Sequence, residues 1–192
     1  MAALWNSATT NDWHDALHAY PAATGQYGGA RLTTLDDWYA RELPVVIASR
    51  STQHVTHDEL VRLTEWKMAR GAWRAPNLVL VRGNASEVVM STSQRALVQA
   101  PHPRRPIATL ATLAGVGPAT ASAVMAIVHP TVYPFFDELV AAQVPELGAV
   151  AWTLPYYVKY ADALRARALE LGEGWTPVMV ERAVWANAQH SR

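Results

Sequence analysis

Leu110-Ala111-Thr112-Leu113-Ala114-Gly115-Val116-Gly117-Pro118-Ala119-Thr120-Ala121-Ser122-Ala123-Val124-Met125 consists of two apolar, helix-forming runs joined by Gly115-Val116-Gly117-Pro118. Gly115 suits the left-handed residue that ends a helix, where a Cβ is strained. Gly117 lets the backbone come close to something else. Pro118 fits the first turn of the second helix, where its missing N–H costs nothing. The amides of that turn have no partner inside the helix and point outward as an anion site. Two uses stay open: an ordinary tight turn between core helices, or a clamp on a DNA backbone made by Gly115, Val116, Gly117, Ala119 and Thr120.

Working outward, charge is the next signal. The formal net charge is zero, which gives no chain-wide attraction to nucleic acid. Its distribution is uneven: residues 1–59 carry net −4, residues 60–106 net +6 and residues 107–192 net −2. The basic third abuts the hairpin, and all but one of its cations are arginines, which suit bidentate phosphate contacts. Pro101-His102-Pro103-Arg104-Arg105-Pro106 is a stiff connector that delivers Arg104 and Arg105 just ahead of the first hairpin helix. Trp66-Lys67-Met68-Ala69-Arg70-Gly71-Ala72-Trp73-Arg74 interleaves tryptophan with cations, so Lys67, Arg70 and Arg74 join the candidate DNA contacts. The bland alternatives are a solvated basic face and two buried tryptophans covered by arginine stems.

Downstream of the hairpin come an apolar helix to Val128 and then Tyr133-Pro134-Phe135-Phe136-Asp137. Together with Leu113-Ala114-Gly115-Val116-Gly117-Pro118-Ala119-Thr120-Ala121, this resembles the helix-hairpin-helix DNA glycosylase superfamily. The likeness covers about Leu110 to Val140. It implies a glycosylase-like fold of two closely apposed helical lobes in a single unit over residues 1–192, with residues 107–140 carrying the hairpin and the aspartate. It also implies base flipping, with Asp137 as catalytic carboxylate, either stabilising positive charge on the deoxyribose or activating water. The residues around Asp137 depart from the family's small or β-branched neighbours. Where bifunctional members carry a lysine, this chain has Ala119, so the resemblance implies monofunctional excision without a Schiff base. From the residues alone, Asp137 is also a ready N-cap for a helix beginning near Glu138.

Elsewhere the chain reads as all-α. Thr56-His57-Asp58-Glu59 is a capping box opening a helix to Arg70, which Gly71 ends. Helices are expected near 57–70, 107–114, 118–128, 155–171 and 177–188. Residues 1–31 are weakly patterned: Thr10 caps a short helix to His18, and Pro21 to Gly29 reads as a loop. Thr34 caps a helix with Leu35, Trp38, Tyr39 and Leu43 as its apolar stripe, and Pro44 marks a break or kink before Val45-Val46-Ile47. Asn77 to Arg82 forms a short helix. Ser86 caps the next, with Val88, Val89 and Leu97 inward. Tyr157, Tyr160, Ala161, Leu164 and Ala168 form a core stripe at helical spacing.

The chain has no cysteine, so it builds no disulfide, zinc–thiolate site or iron–sulfur cluster. No histidine pair has metal-ligand spacing, and neither a catalytic metal nor another cofactor is expected. No run of eighteen apolar residues exists, and the N-terminus lacks a signal peptide's pattern. An intracellular location follows as an expectation, nuclear in a eukaryote or cytoplasmic in a bacterium. The expected partner is double-stranded DNA, held by its phosphates. Three function classes stay open: a monofunctional glycosylase-like enzyme, a non-catalytic DNA-binding relative, and a helical protein-interaction module.

Overall fold

A computed structural model describes residues 4–7 and 9–190. Met1 to Ala3, part of the N-terminus read for a signal peptide, and the side chain of His190 lie outside the described residues. Among the described residues every regular element is helical: α1 Thr10–His18, α2 Tyr20–Asp37, α3 Leu43–Ala48, α4 His57–Arg70, α5 Ala75–Arg82, α6 Ser86–Leu97, α7 Arg105–Leu110, α8 Pro118–Val128, α9 Glu138–Ala141, α10 Leu154–Leu171 and α11 Pro177–His190. A π-helical turn, Trp38–Glu42, links α2 to α3, and short 3-10 turns occupy Leu4–Asn6 and Pro145–Leu147. No helix among these residues is long and apolar enough to cross a membrane.

α8 lies at the centre because its sequence leaves it no polar face. Ala119 through Ala126 are all buried, and the run of Ala, Ser and Thr side chains lets neighbouring helices approach closely. Around it pack α3, α4 and α7. The capping box that opens α4 forms in full: Thr56 Oγ1 accepts from the Glu59 amide at 3.3 Å, and the Glu59 carboxylate accepts from the Thr56 amide at 2.8 Å. From α4, Leu60, Leu63 and Trp66 enter the core. Trp66 stacks on Tyr39 at 3.6 Å between ring centroids, and the Tyr39 hydroxyl donates to the Ala123 carbonyl of α8 at 2.7 Å. α6, α7 and α8 follow one another in contact, α2 packs on α4 more extensively than on α11, and α1 and α10 also pack on α11.

Several local expectations change. Pro21 to Gly28 is helical, not a loop: Pro21 sits in the first turn of α2, where it lacks nothing, and the break falls at Gly29 (φ 60°, ψ −159°). Thr34 is inside α2 and donates to the Ala30 carbonyl instead of capping. The α1 cap is Thr9, one residue earlier than Thr10, accepting from the Asp12 amide. α6 starts at Ser86 with Ala85 at the cap position, and Val88 faces solvent while Val89 and Leu97 are buried. α7 stops at Leu110; residues 111–115 form turns that let Leu113 and Val116 pack inward.

Candidate functional site

Gly115 does not end the first hairpin helix, which stops at Leu110; it closes the turn that follows, in the left-handed region (φ +74°), and the two glycines differ in what surrounds them. A Cβ on Gly115 would lie 2.6 Å from the Asn77 carbonyl and 2.9 Å from Leu80 Cβ, so this residue is where the hairpin beds on α5. A Cβ on Gly117 would meet nothing within 4 Å, and its backbone is extended (φ −96°). Gly117 therefore serves neither a tight contact nor a left-handed turn; it leaves open the space beside the first-turn amides of α8. Pro118 supplies no N–H there, and no side chain caps that end. Asn84 fixes the turn reciprocally: its amide donates to the Ala114 carbonyl and its oxygen accepts from the Ala114 amide, both at 2.9 Å.

The segment leading to Asp137 is held by its carbonyls. Tyr133 donates its hydroxyl to His102 O at 3.0 Å, while from α10 Arg165 donates to Val132 O, Tyr157 to Pro134 O and Tyr160 to Phe135 O. Ser122 of α8 accepts from the Phe136 amide at 2.9 Å. The tyrosines read as an apolar stripe are indeed buried, and their hydroxyls also satisfy an otherwise unpaired extended segment.

Asp137 is buried and is the N-cap of α9: Oδ1 accepts from the Leu139 amide at 2.8 Å and from the Val140 amide at 3.4 Å. Oδ2 faces Arg70 Nε at 3.4 Å, long for a hydrogen bond. Burial pushes the Asp137 carboxyl above its ordinary range, against the pull of Arg70 and the two amides. Arg70 sits inside the protein, 3% exposed, among the rings of Tyr20, Trp66, Phe135 and Trp185. It donates to Glu181, and to the Tyr20 hydroxyl at 2.9 Å, which in turn donates to Asp36. One cation thus faces three acids, and burial pushes Glu181 up to about 8.

Arg70 is therefore not the phosphate contact that its place on a basic helix suggested. The reason is the turn of the helix: Trp66 and Arg70, four residues apart, share the core face. Val116 likewise turns its side chain inward, so only its backbone lies at the turn's surface. Trp66 is buried, as in the bland alternative; Trp73 is 48% exposed, with Arg31 against its ring.

A cavity of about 490 Å³ is lined by Asp137 and by Phe135, Phe136, Trp152 and Trp185, together with Lys67 and Ala119. A smaller one of about 190 Å³ lies in front of Gly115, Gly117 and Thr120. The two share Lys67, Arg74, Ala119 and Trp152. Arg74 is exposed at this junction, whereas Arg104 and Arg105 are exposed at the start of α7 and line neither cavity. His102 Nδ1 accepts from the Arg104 and Arg105 amides at 3.2 Å, opening α7 as a cap would.

Lys67 belongs with the cavity more than with a phosphate-facing surface. Burial, followed by repulsion from Arg74, lowers its ammonium from the usual 10.5 to about 8. Sequence reasoning also missed Trp152 and Glu181. For Trp152 the available signal is a large aromatic just before the Thr153 cap of α10, where no helix packs around it; for Glu181 nothing local marks burial. Searches against family models, curated proteins and solved structures gave no match to this chain.

Proposed function

We propose that this chain is a helix-hairpin-helix DNA glycosylase-like protein that holds duplex DNA at the Gly117 amides. In this reading one nucleotide, extruded from the stack, occupies the cavity that Asp137 lines. The middle helices α4–α8 and the joined chain ends would be the two lobes. The observation that carries the proposal is the junction of the two cavities at Lys67, Arg74, Ala119 and Trp152. A phosphate at the open helix end and a base between aromatic walls can then belong to one strand. The larger cavity, about 490 Å³, falls within the range of small-ligand sites, roughly 300–1,000 Å³.

Chemistry follows from Asp137. A carboxylate whose basicity is raised by burial, beside a cavity wide enough for a base and a water, suits general-base activation of that water. Water then attacks the sugar carbon that carries the base, the C–N bond breaks, and the base departs. A second reading, DNA binding without catalysis, is favoured by one specific observation. Asp137 is already committed to the α9 cap and to Arg70, which is a complete structural role.

Duplex binding tests what both readings share. Fluorescence anisotropy should show salt-dependent binding by the wild type, and Gly117→Asp should abolish it by putting an anion into the open space. Removing Arg104 and Arg105 should weaken binding for all sequences and flatten the salt slope by about one unit per arginine. Unchanged affinity in both variants would make the hairpin purely structural.

A further inference from the structure

A further cavity, of about 340 Å³, shares Arg70 and Phe135 with the Asp137 cavity. It draws on the π-helical turn through Tyr39, on α4 through Trp66, on α8 through Ile127, and on α11 through Val178 and Met179. Its walls are therefore mainly aromatic and aliphatic. Tyr39, Trp66 and Phe135 are buried, Ile127, Val178 and Met179 are half-buried, and Pro130 is exposed, so the cavity runs from the interior to the surface.

The polar side chains that line it differ in what they have left to give. Tyr39 spends its hydroxyl on the Ala123 carbonyl, Trp66 its N–H on Asp36, and Arg70 its terminal nitrogens on Tyr20 and Glu181. Thr176 Oγ1 accepts from the Met179 amide at 3.2 Å, and its own proton goes to no acceptor among the described residues. Arg182 is half-buried, with its guanidinium 5.4 Å from the Tyr20 ring centre. Among the described residues no carboxylate makes an ion pair with it, and its charge is felt by both Tyr39 and Glu181. Glu181 does not neutralise it, because burial raises that carboxyl to about 8 and keeps it mainly protonated at neutral pH. What these side chains still offer is hydrogen-bond donors and one uncompensated cation beside an apolar surface.

We propose that this cavity binds a small aromatic monocarboxylate, its ring against Trp66, Phe135 and Met179 and its carboxylate on Arg182 and the Thr176 hydroxyl. The planar guanidinium matches a carboxylate in a bidentate pair. A dianionic phosphate would bring two charges to one available cation, an ammonium would meet it as a like charge, and a neutral ring would leave it uncompensated. The volume, about 340 Å³, lies at the small end of ligand sites, roughly 300–1,000 Å³, which suits one or two fused rings. The site does not depend on the DNA reading, since the residues proposed to hold the carboxylate line neither the Asp137 cavity nor the one at the hairpin.

A charge series on one ring system tests it. The full-length protein is titrated calorimetrically with naphthoate, with naphthamide and with naphthylmethylamine. The wild type should bind naphthoate with one-to-one stoichiometry, on the order of tenfold tighter than the amide, and the amine more weakly still. Arg182→Gln should remove the advantage of the carboxylate over the amide. Met179→Trp, which fills the cavity from a half-buried position, should abolish binding of all three. Trp152→Ala, in the walls of the other two cavities, should leave naphthoate affinity unchanged. Circular dichroism confirms that each variant is folded, and the series on the wild type decides the ligand's charge without any variant. No binding of naphthoate at millimolar concentration, or naphthoate no tighter than the amide or the amine, would overturn the proposal. So would affinity that survives Arg182→Gln and Met179→Trp but falls in Trp152→Ala, which would place the ligand in the Asp137 cavity instead.

Discussion

Arg70 surrounded by Asp36, Asp137 and Glu181 sets the electrostatics of the interior. Three carboxyls around one guanidinium cannot all ionise cheaply in a buried place, and burial raises Glu181 from 4.5 to about 8. A folded-state value above the unfolded one means that the native protein holds this proton more tightly. The stability it contributes is full below about 4.5 and is lost progressively as pH rises through about 8. Glu181→Gln should remove that decline: the wild type loses melting temperature between pH 5 and pH 8 relative to the variant. Parallel pH profiles for the two proteins would refute the assignment. Asp137 and Ala119 were legible from sequence because they sit at fixed offsets from the hairpin. Arg70, Glu181 and Lys67 were not, because which side of α4 or α11 faces inward depends on partners far along the chain.

At the scale of elements, the hairpin separates its two glycines by role. Gly115→Ala forces a side chain into φ +74° and drives a Cβ against the Asn77 carbonyl, a backbone atom that cannot swing aside. A loss of about 2 kcal/mol or more is expected. Gly117→Ala meets open space in extended backbone, so it should cost under about 1 kcal/mol, the preference of a cap position. Denaturant titrations of both variants check this, and equal losses would contradict the division. α4, α8, α10 and α11 were readable because side-chain caps or prolines mark their first turns, and those signals are local. α2 was misread because Pro21 and three glycines resemble loop punctuation. Tertiary support from Tyr20, Ala23 and Leu32, all buried, overrides that composition.

For the molecule as a whole, folding thins out the basic third. Arg70 goes inside and Arg82 pairs with Glu65, leaving Arg74, Arg95, Arg104 and Arg105 exposed with no ion pair to a carboxylate among the described residues. This modest cationic edge suits a backbone clamp that relies on the hairpin amides as much as on charge. All-helical architecture was plain from the sequence, since no segment alternates; the cavity was not, because its walls come from α2, α4, α8, α9, α11 and loops, spread along the chain from Tyr27 to Gln189. The most direct measurement is release of free base from a panel of lesion-containing duplexes, followed by alkali to reveal abasic sites. The account predicts release from at least one duplex by the wild type. Asp137→Asn should lower that release on the order of a hundredfold or more while duplex affinity is retained. A wild type that binds duplex yet frees no base from any of them, or an Asp137→Asn variant as active as the wild type, would contradict it.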